Sequence, residues 1–550
     1  MTELAVIEAL TAVFLAAAIL LVGARRLGLP PIPFYLAAGM LVGPVIAPEH
    51  LLELARWGIA FLVFAFAVET DPLTDIDRSA TTVGIVQVTA TGVLLYMVGL
   101  AIGLGRLDAL LLAAFGAFSS TLVALGHLTE GPVRPSVTHE RLAEAINVVD
   151  DLAAIAVILV VGAVAFPDAP GVEGIAAGIG VLAGAVVLRR VLFDRLAAAA
   201  RGDVEIVMIT AVSLLIGFVA IAEAIGISIV VGAFAAGLAV SSEYPHDVEA
   251  VDAIGSIEDF FIPVFFVTLG ALATVPDART LGLAGVILLG VIVLNPVVTV
   301  LTARRAGYDD RTATLAGTRL DQVSEFSLVI AIEALLVGAI APAFFEALVL
   351  AAIVSMVLSA YTSDHGEAIY RGLTARGIVG DDLGSVRHES TVSDDVADHI
   401  IVVGYGPVGR RVVDAIADAG REAVVIDPDP ALAAAVGDRG AGYVAGEVES
   451  DATWTVARPD SAALIVSAVP DPPRNRRVVD RAGETDVIAL ATDRATASSL
   501  LERGATFVAI PDALAGGRLA DHVERTLSEE GYADRLRERG RKRLADVDDK

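Results

Sequence analysis

The first two-thirds of the sequence consist of repeated apolar runs of about 20 residues, and this feature constrains the fold more than any other. A helix of that length crosses the hydrocarbon core of a bilayer, which is roughly 30 Å thick. We therefore predict about 13 membrane-spanning helices, at residues 4–24, 29–47, 52–69, 80–104, 108–128, 141–166, 172–194, 204–224, 227–241, 256–275, 280–303, 312–337 and 341–362. A chain that is 55% hydrophobic and only 19% charged is not an ordinary soluble globule.

The composition excludes several classes of protein. The chain has no cysteine, which excludes disulfides, thiol catalysis and cysteine-ligated metal sites, and we expect no metal cofactor. A net charge of −28 disfavours nucleic acid as a partner, because phosphate binding requires a basic surface. Positive charge is almost entirely arginine, with lysine only at Lys542 and Lys550. This pattern fits either a halophile with a salt-rich cytoplasm or GC-rich codon usage, and both interpretations stay open.

The arginines predict the orientation in the membrane. They lie in or beside alternate loops, for example at Arg25 and Arg26 and again at Arg304 and Arg305, whereas the opposite loops are nearly free of them. Because positively charged loops stay in the cytoplasm, we predict a multi-pass protein of the cell membrane with its N-terminus outside. Everything after the thirteenth span is then cytoplasmic.

The part of the chain that follows the spans has a different composition. We predict that residues 1–363 form the membrane domain, that 364–397 form a polar linker, and that 398–520 form a Rossmann-like domain. Residues 521–550 are expected to be a charged C-terminal tail. The predicted fold is an all-α polytopic membrane bundle with a cytoplasmic α/β domain.

The sixth span contains two adjacent acidic residues. Asp150 and Asp151 lie within an otherwise apolar helix, where a carboxylate at mid-bilayer costs about 2.5–3.5 kcal/mol. Neighbouring residues diverge by about 100° around a helix, so one side chain can face a cavity and the other an adjacent helix. A carboxylate held there can bind a proton and a monovalent cation in turn, as cation:proton exchange requires. The alternative is a structural carboxylate paired with a buried arginine.

Polar residues in two further spans also indicate a transport site within the membrane. The fifth span contains Ser119, Ser120 and Thr121, and the twelfth contains Gln322 and Glu325. The two spans lie seven apart in a chain of thirteen, so they would be equivalent elements of two inverted repeats. Interrupted helices at matching positions of such repeats indicate a transport site at the membrane midplane. We therefore predict interruptions in both spans, next to the aspartates.

A glycine-rich turn opens the cytoplasmic domain. Gly404, Gly406 and Gly409 follow a predicted strand at 399–403 and precede a helical run, and a second strand ends at Asp427. The glycines permit a tight turn under a pyrophosphate, and an acid about 20 residues later suits a ribose hydroxyl. An acid there disfavours a 2′-phosphate, so NAD(H) or another adenine nucleotide is the expected regulatory ligand. The alternative is a Rossmann fold that has lost its ligand.

These segments, in this order and spacing, resemble the Kef-like branch of the monovalent cation:proton antiporters with a C-terminal KTN/RCK (TrkA-N) domain. The resemblance covers nearly the whole chain. The segments that carry it are Leu27-Gly28-Leu29-Pro30, Val68-Glu69-Thr70-Asp71-Pro72, Ser119-Ser120-Thr121, Asp150-Asp151, Gly226-Ile227-Ser228, Phe260-Phe261-Ile262-Pro263 and Gln322 with Glu325-Phe326.

The resemblance implies roles for individual residues. Asp151 stands at the position of the ion- and proton-binding carboxylate, and an acid at Asp150 is similar to the two-aspartate pattern of electrogenic exchangers, which favours Na⁺ slightly over K⁺. Asn295 stands where relatives often place a lysine that pairs with the first aspartate, and Arg319 is an alternative partner. Glu447 stands where the nucleotide-binding family commonly has aspartate. The resemblance also implies a homodimer.

The sequence bears on three functional classes. The leading prediction is a secondary antiporter that exchanges Na⁺ or K⁺ for H⁺ across the lipid bilayer under control of the nucleotide domain. The alternative is a nucleotide-gated potassium efflux system or a channel-like K⁺ pathway, although Gly404-Tyr405-Gly406, which looks like a potassium filter, lies in the cytoplasmic turn. An enzyme is not expected, because too few residues follow the nucleotide fold to form a catalytic domain.

Overall fold

The computed structural model describes residues 3–45, 48–70, 78–120, 138–165, 171–193, 204–240, 248–274, 276–393, 395–529 and 531–538. The chain divides into two compact units, Met1–Gly380 and Asp381–Lys550. The boundary falls inside the segment predicted as a linker, 364–397. Each unit is described separately.

The described part of the first unit is helical, and a helix or pair of helices lies at each of the thirteen predicted spans. The helices are α1 (Glu3–Leu27), α2 (Pro31–Val42), α3 (Pro48–Thr70), α4 (Arg78–Ala101), α5 (Arg106–Ala117), α6 (Thr138–Ala165), α7 (Val172–Leu188), α8 (Val204–Ala224), α9 (Ile229–Ala239), α10 (Val248–Leu272), α11 (Ala278–Leu289), α12 (Asn295–Arg305), α13 (Asp310–Thr318), α14 (Glu325–Leu336), α15 (Pro342–Asp364) and α16 (Gly366–Ala375).

Five segments among the described residues are long and apolar enough to cross a membrane on their own. They are Arg78–Ala101, Val172–Val191, Glu205–Ala224, Ala278–Arg305 and Pro342–Asp364. Shorter apolar helices include Pro31–Val42 and Ile229–Ala239. The prediction of a helical membrane bundle is confirmed.

The twelfth span is interrupted as predicted. It consists of α13 and α14, and residues 319–324 between them are not helical. The fifth span behaves similarly within its described part, because α5 ends at Ala117 and Phe118 is extended, with φ −91° and ψ 140°. Thr121 lies outside the described residues. Backbone groups that leave a helix in this way are free to bond other partners.

The eleventh span contains a local widening of the helix. α11 and α12 are joined by a π-helical turn, Gly290–Leu294, in which the Asn295 amide donates to the Gly290 carbonyl. Pro296 has no amide hydrogen and cannot continue the α-helical ladder, which accounts for the widening at this place. The turn brings Asn295 into the interior, where it is fully buried.

The second unit is a doubly wound α/β fold. A short helix, α17 (Leu383–Glu389), precedes strands β1 (His399–Val403), β2 (Ala423–Asp427), β3 (Gly442–Ala445), β4 (Ala462–Ser467), β5 (Val487–Leu490) and β6 (Phe507–Ala509). The helices that alternate with them are α18 (Pro407–Asp418), α19 (Ala433–Gly437), α20 (Asp451–Ala457), α21 (Pro472–Arg481), α22 (Arg494–Glu502) and α23 (Pro511–Ser528).

All neighbouring strands of this sheet are parallel, in the order β3-β2-β1-β4-β5-β6. This order reverses between β1 and β4, as in a Rossmann fold, so the predicted fold class is confirmed. Ile401 and Val403 pack in one apolar core and Val402 in another, so both faces of the sheet are covered. The ligand crevice of such a sheet lies at the carboxyl ends of its strands, where β1 and β4 diverge.

Candidate functional site

Asp150 is bonded to the end of the interrupted fifth span. Its side chain, on α6, has no exposed surface, and its Oδ2 atom accepts two hydrogen bonds from Ser119, from the amide at 2.9 Å and from the hydroxyl at 2.6 Å. Ser119 lies just beyond α5, so its amide is not used within a helix. The break therefore points a backbone N–H at a buried carboxylate oxygen.

Asn147 joins this site, and the sequence analysis missed it. It lies three residues before Asp150 on α6, hence on the same face, and its Oδ1 atom is 2.7 Å from the Ser119 hydroxyl. Among the described residues, neither Asp150 Oδ1 nor Asn147 Nδ2 has a hydrogen-bond partner. A polar residue one turn before an intramembrane acid is the signal that could have identified it. Asp150 Oδ1 is therefore a buried acceptor available to a proton or a cation.

Asp151 is also buried, with 3% of its surface exposed. As a neighbour of Asp150 on one helix, it points about 100° away. Ser119 bonds to Asp150 rather than to Asp151. The structure thus separates the two acids, and the one held at the break of the fifth span is the first of the pair.

Gln322 connects the two interrupted spans. Its amide nitrogen lies 2.9 Å from the Ser120 carbonyl oxygen and 3.0 Å from that of Arg319, and its Oε1 atom accepts from the Ser359 hydroxyl on α15 at 2.7 Å. One side chain therefore bonds the unwound segments of the fifth and twelfth spans together. Ser119, Ser120 and Gln322 therefore lie close together, as the sequence predicted.

Glu325 is the first residue of α14 and is 2% exposed. The preceding residue, Ser324, caps the helix by accepting from the Phe326 amide at 3.0 Å. A helix N-terminus carries partial positive charge, which favours an acid there. α14 packs against α6, the helix that carries Asp150 and Asp151.

The two predicted supporting residues lie at different places. Asn295 and Gln87, a residue of α4 that the sequence analysis missed, form an amide pair with a separation of 2.9 Å. Both donate to the Ala117 carbonyl at the end of α5, at 3.4 and 3.3 Å. Arg319 forms an ion pair of 3.2 Å with Glu140, which lies about 15 Å before Asp150 along α6 at 1.5 Å per residue.

The amide pair predicts the effect of a single substitution. In Gln87→Leu, the Ala117 carbonyl and the Asn295 amide each lose a buried partner, which costs about 1–3 kcal/mol. We expect a lower unfolding temperature in detergent and slower cation exchange in vesicles. Thr82→Val, which removes an exposed hydroxyl from the same helix, is the control. Equal unfolding temperatures and rates for the two variants would contradict this role for Gln87.

The three glycines of the second unit have three different roles. Gly404 has φ +87°, and a Cβ atom there would lie 2.6 Å from the Val469 side chain. A Cβ atom on Gly409 would lie 1.9 Å from the Gly404 carbonyl oxygen, so the helix packs directly on the turn. Gly406 precedes α18, and a Cβ atom there would meet no atom within 4 Å. The turn is therefore tightly packed at Gly404 and Gly409, whereas Gly406, between them, leaves space for a phosphate.

Asp427, at the end of β2, holds this turn in place. Its Oδ2 atom accepts from the Tyr405 amide at 2.9 Å, and its Oδ1 atom accepts from the Asp429 amide at 3.1 Å. The Tyr443 hydroxyl donates to the Asp427 carbonyl at 2.8 Å. Burial and the nearby acids raise the pKa of the Tyr443 phenol, which keeps it protonated as a donor.

Glu447 lies at the same edge of the sheet. In the register of β2 and β3, Asp427 pairs with Ala445, and Glu447 follows two residues later with 6% of its surface exposed. The glycine turn, Asp427 and Glu447 therefore meet at the carboxyl ends of adjacent strands. Within the described ranges no group of three or more His, Asp or Glu side chains is placed to hold a metal ion.

Both units match known protein families. Residues 10–363 match the sodium/hydrogen exchanger transmembrane family, and residues 400–511 match the TrkA-N domain. The chain belongs to the sodium/hydrogen exchanger family. It is a cation:proton antiporter with a TrkA-N domain rather than an enzyme, as the sequence analysis predicted.

Similar proteins support the Kef-like resemblance. The glutathione-regulated potassium-efflux system protein KefC of Salmonella schwarzengrund is 28% identical over 84% of this chain and 75% of its own length. The putative K⁺ efflux antiporter KefB of Alkalimonas amylolytica is 26% identical over 91% of this chain and 78% of its own. The antiporter MjNhaP1 of Methanocaldococcus jannaschii is 16% identical, with a TM-score of 0.51 over 69% of this chain and all of its own, which is a likeness of fold.

Proposed function

We propose that this protein exchanges a monovalent alkali cation for protons at Asp150 and Asp151, under control of a nucleotide bound to its TrkA-N domain. The observation that carries the proposal is the buried Asp150 carboxylate, held by Ser119 through one oxygen only. Burying a charge in this way is costly unless a proton or a counter-ion neutralises it. Competition between the two at one carboxylate couples their movements.

The residues around the carboxylate define the exchange step. The Ser119 amide and hydroxyl orient Oδ2 and leave Oδ1 for the transported species. A cation that binds Oδ1 displaces the proton, which leaves to water on the side to which the site is open. After the site has opened to the opposite side, a second proton binds from there and displaces the cation. Unwound backbone near Ser120 and Arg319 supplies carbonyl oxygens of the kind that replace a cation's hydration shell.

Potassium is the cation we propose. The sequence-based preference for Na⁺ rested on an acid at Asp150, and the relatives do not support it, since the names of KefC and KefB specify potassium. The oxygens at Asp150, Asn147 and Ser120 suit either ion. The family name, sodium/hydrogen exchanger, keeps sodium as the second candidate.

Regulation is proposed to act through the second unit. NAD(H) or an adenine nucleotide would place its phosphate or pyrophosphate over Gly404 and Gly406, and a ribose hydroxyl at Asp427. A ligand shifts transport only by as much as its affinity differs between the two states of the transporter. The outside N-terminus and the homodimer expected from the sequence remain part of this proposal.

Vesicles that contain the purified protein test the function. We expect addition of KCl outside vesicles with an acidic interior to dissipate the pH gradient, as reported by a pH-sensitive dye, and NaCl to act more weakly. The same measurement with and without NADH tests regulation. A pH gradient that persists after addition of both salts would refute cation:proton exchange, and a stronger response to NaCl would identify sodium as the substrate.

A further inference from the structure

A second buried carboxylate lies on the unwound segment of the twelfth span. Asp321 is 3% exposed, and its Oδ2 atom accepts a hydrogen bond of 2.6 Å from the Thr362 hydroxyl on α15. Among the described residues it forms no ion pair, and its Oδ1 atom has no hydrogen-bond partner. A buried carboxylate without a basic partner is stable only when a proton or a cation neutralises it.

Hydroxyl and carbonyl oxygens of α15 lie beside Asp321. The Thr362 hydroxyl, which donates to Asp321, also lies 3.1 Å from the Ser359 carbonyl oxygen. The nearby Ser363 hydroxyl lies 3.4 Å from the Thr318 carbonyl. Carboxylate, hydroxyl and carbonyl oxygens are the groups that replace the hydration shell of an alkali cation.

Asp321 is connected to the main site through the hydrogen bonds of its neighbour in sequence, Gln322. Ser359 donates to Gln322, the residue after Asp321, and Gln322 donates to the Ser120 carbonyl. Ser120 follows Ser119, which holds Asp150. The two carboxylates are thus the ends of one polar network that crosses the interrupted spans.

Asp321 also lies nearer the end of the bundle than the main site does. α15 contacts the unwound segment at three points, with Ser355 at the Val323 amide, Ser359 at Gln322 and Thr362 at Asp321. At 1.5 Å per residue, Thr362 is about 10 Å further along α15 than Ser355 and close to its last residue, Asp364. Asp321 therefore stands between the network and the end of the bundle at which α15 ends.

We propose that Asp321 is a second carboxylate site that binds the alkali cation or a proton, between Asp150 and that end of the bundle. This inference rests on the proposed function, since the cation is the one exchanged at Asp150. It places Asp321 on the path of the ion. The exchange step at Asp150 does not by itself use this buried acid.

A carboxyl-reactive carbodiimide tests the site directly. The reagent modifies protonated carboxyl groups in apolar surroundings, and peptide mass spectrometry locates the product. In the full-length protein in lipid nanodiscs, we expect modification at Asp321 that KCl or NaCl suppresses and that N-methylglucamine chloride of equal concentration does not. Thr362→Val should weaken this protection, whereas Asp309→Asn, which retains a helix cap at the start of α13, should not.

Transport then separates this proposal from the proposed function. In vesicles, we expect Asp321→Asn to retain exchange but to need a roughly tenfold higher cation concentration for half-saturation, which corresponds to about 1.4 kcal/mol of binding free energy. Asp321→Glu should restore the wild-type half-saturating concentration. Asp150→Asn should lose exchange yet keep cation protection at Asp321. Protection in a wild-type protein that does not exchange would refute the proposed function alone. Absence of modification at Asp321, or equal protection by N-methylglucamine, would overturn the second site.

Discussion

Asp150→Asn is expected to abolish cation:proton exchange in vesicles, with a fall in rate on the order of a hundredfold or more. An asparagine amide keeps the shape and can still accept from Ser119, but it cannot release a proton in exchange for a cation. The dye-reported pH change on addition of KCl measures the effect. Protein amount and unfolding temperature should stay near wild type, because a buried charge has been removed without a change in volume.

A matched control exists on the same unit. Asp277 accepts from the Thr280 amide at the start of α11, and this bond lowers its pKa, so it is charged at neutral pH. Asp277→Asn removes a carboxylate of the same type, and asparagine caps a helix equally well. We expect its exchange rate to equal that of wild type.

The same measurement on Asp151→Asn decides between the two acids. By family resemblance Asp151 is the ion- and proton-binding residue, whereas the bonds from Ser119 favour Asp150. Exchange that survives in Asp150→Asn but is lost in Asp151→Asn would mean that Asp150 has only a structural role. Exchange that survives in both variants would refute the proposed site.

The second large effect is expected at the nucleotide turn. In Gly409→Ala the new methyl group would lie 1.9 Å from the Gly404 carbonyl oxygen, so the turn and α18 must move apart. We expect the affinity for NADH, measured by calorimetry on the full-length protein, to fall at least about a hundredfold, or about 2.8 kcal/mol. Gly516→Ala is the control, because a methyl group at this position meets no atom within 4 Å.

Asp427→Ala tests the contribution of the Asp427 carboxylate to the same nucleotide site. It removes the acceptor of both the Tyr405 and the Asp429 amides, and the proposed ribose ligand with them. We expect NADH and AMP to bind measurably more weakly than to wild type. Unchanged affinity in both Gly409→Ala and Asp427→Ala would place the ligand elsewhere, and wild-type protein that binds neither nucleotide would mean that the fold has lost its ligand.

Much of the fold could be predicted from the sequence because its signals are local. Span positions follow from the length of apolar runs, and the ends of α8 coincide with the predicted 204–224. The turn at Gly404 is encoded by glycines between a strand and a helix. The interruption near Gln322 was predictable because serine, glutamine and two acids crowd a segment that should be apolar.

The partners of the polar residues could not be predicted, because each depends on helices far apart in the chain. Gln87 looks like an isolated polar residue of α4 until Asn295 and the end of α5 are placed beside it. Arg319 was expected as an alternative partner of Asp150, yet its ion pair is with Glu140. Rotation of a helix by a single residue, about 100°, would change the partners of every polar side chain on it.

The sequence by itself therefore determined which residues enter the membrane interior, since hydropathy and the cost of burying charge act on each segment separately. Only the tertiary structure decided which oxygen of Asp150 is occupied, that Gln322 joins the two breaks, and that Asp321 ends the same network. Those outcomes arise from packing, which sets the rotation and depth of helices whose sequences do not encode their neighbours.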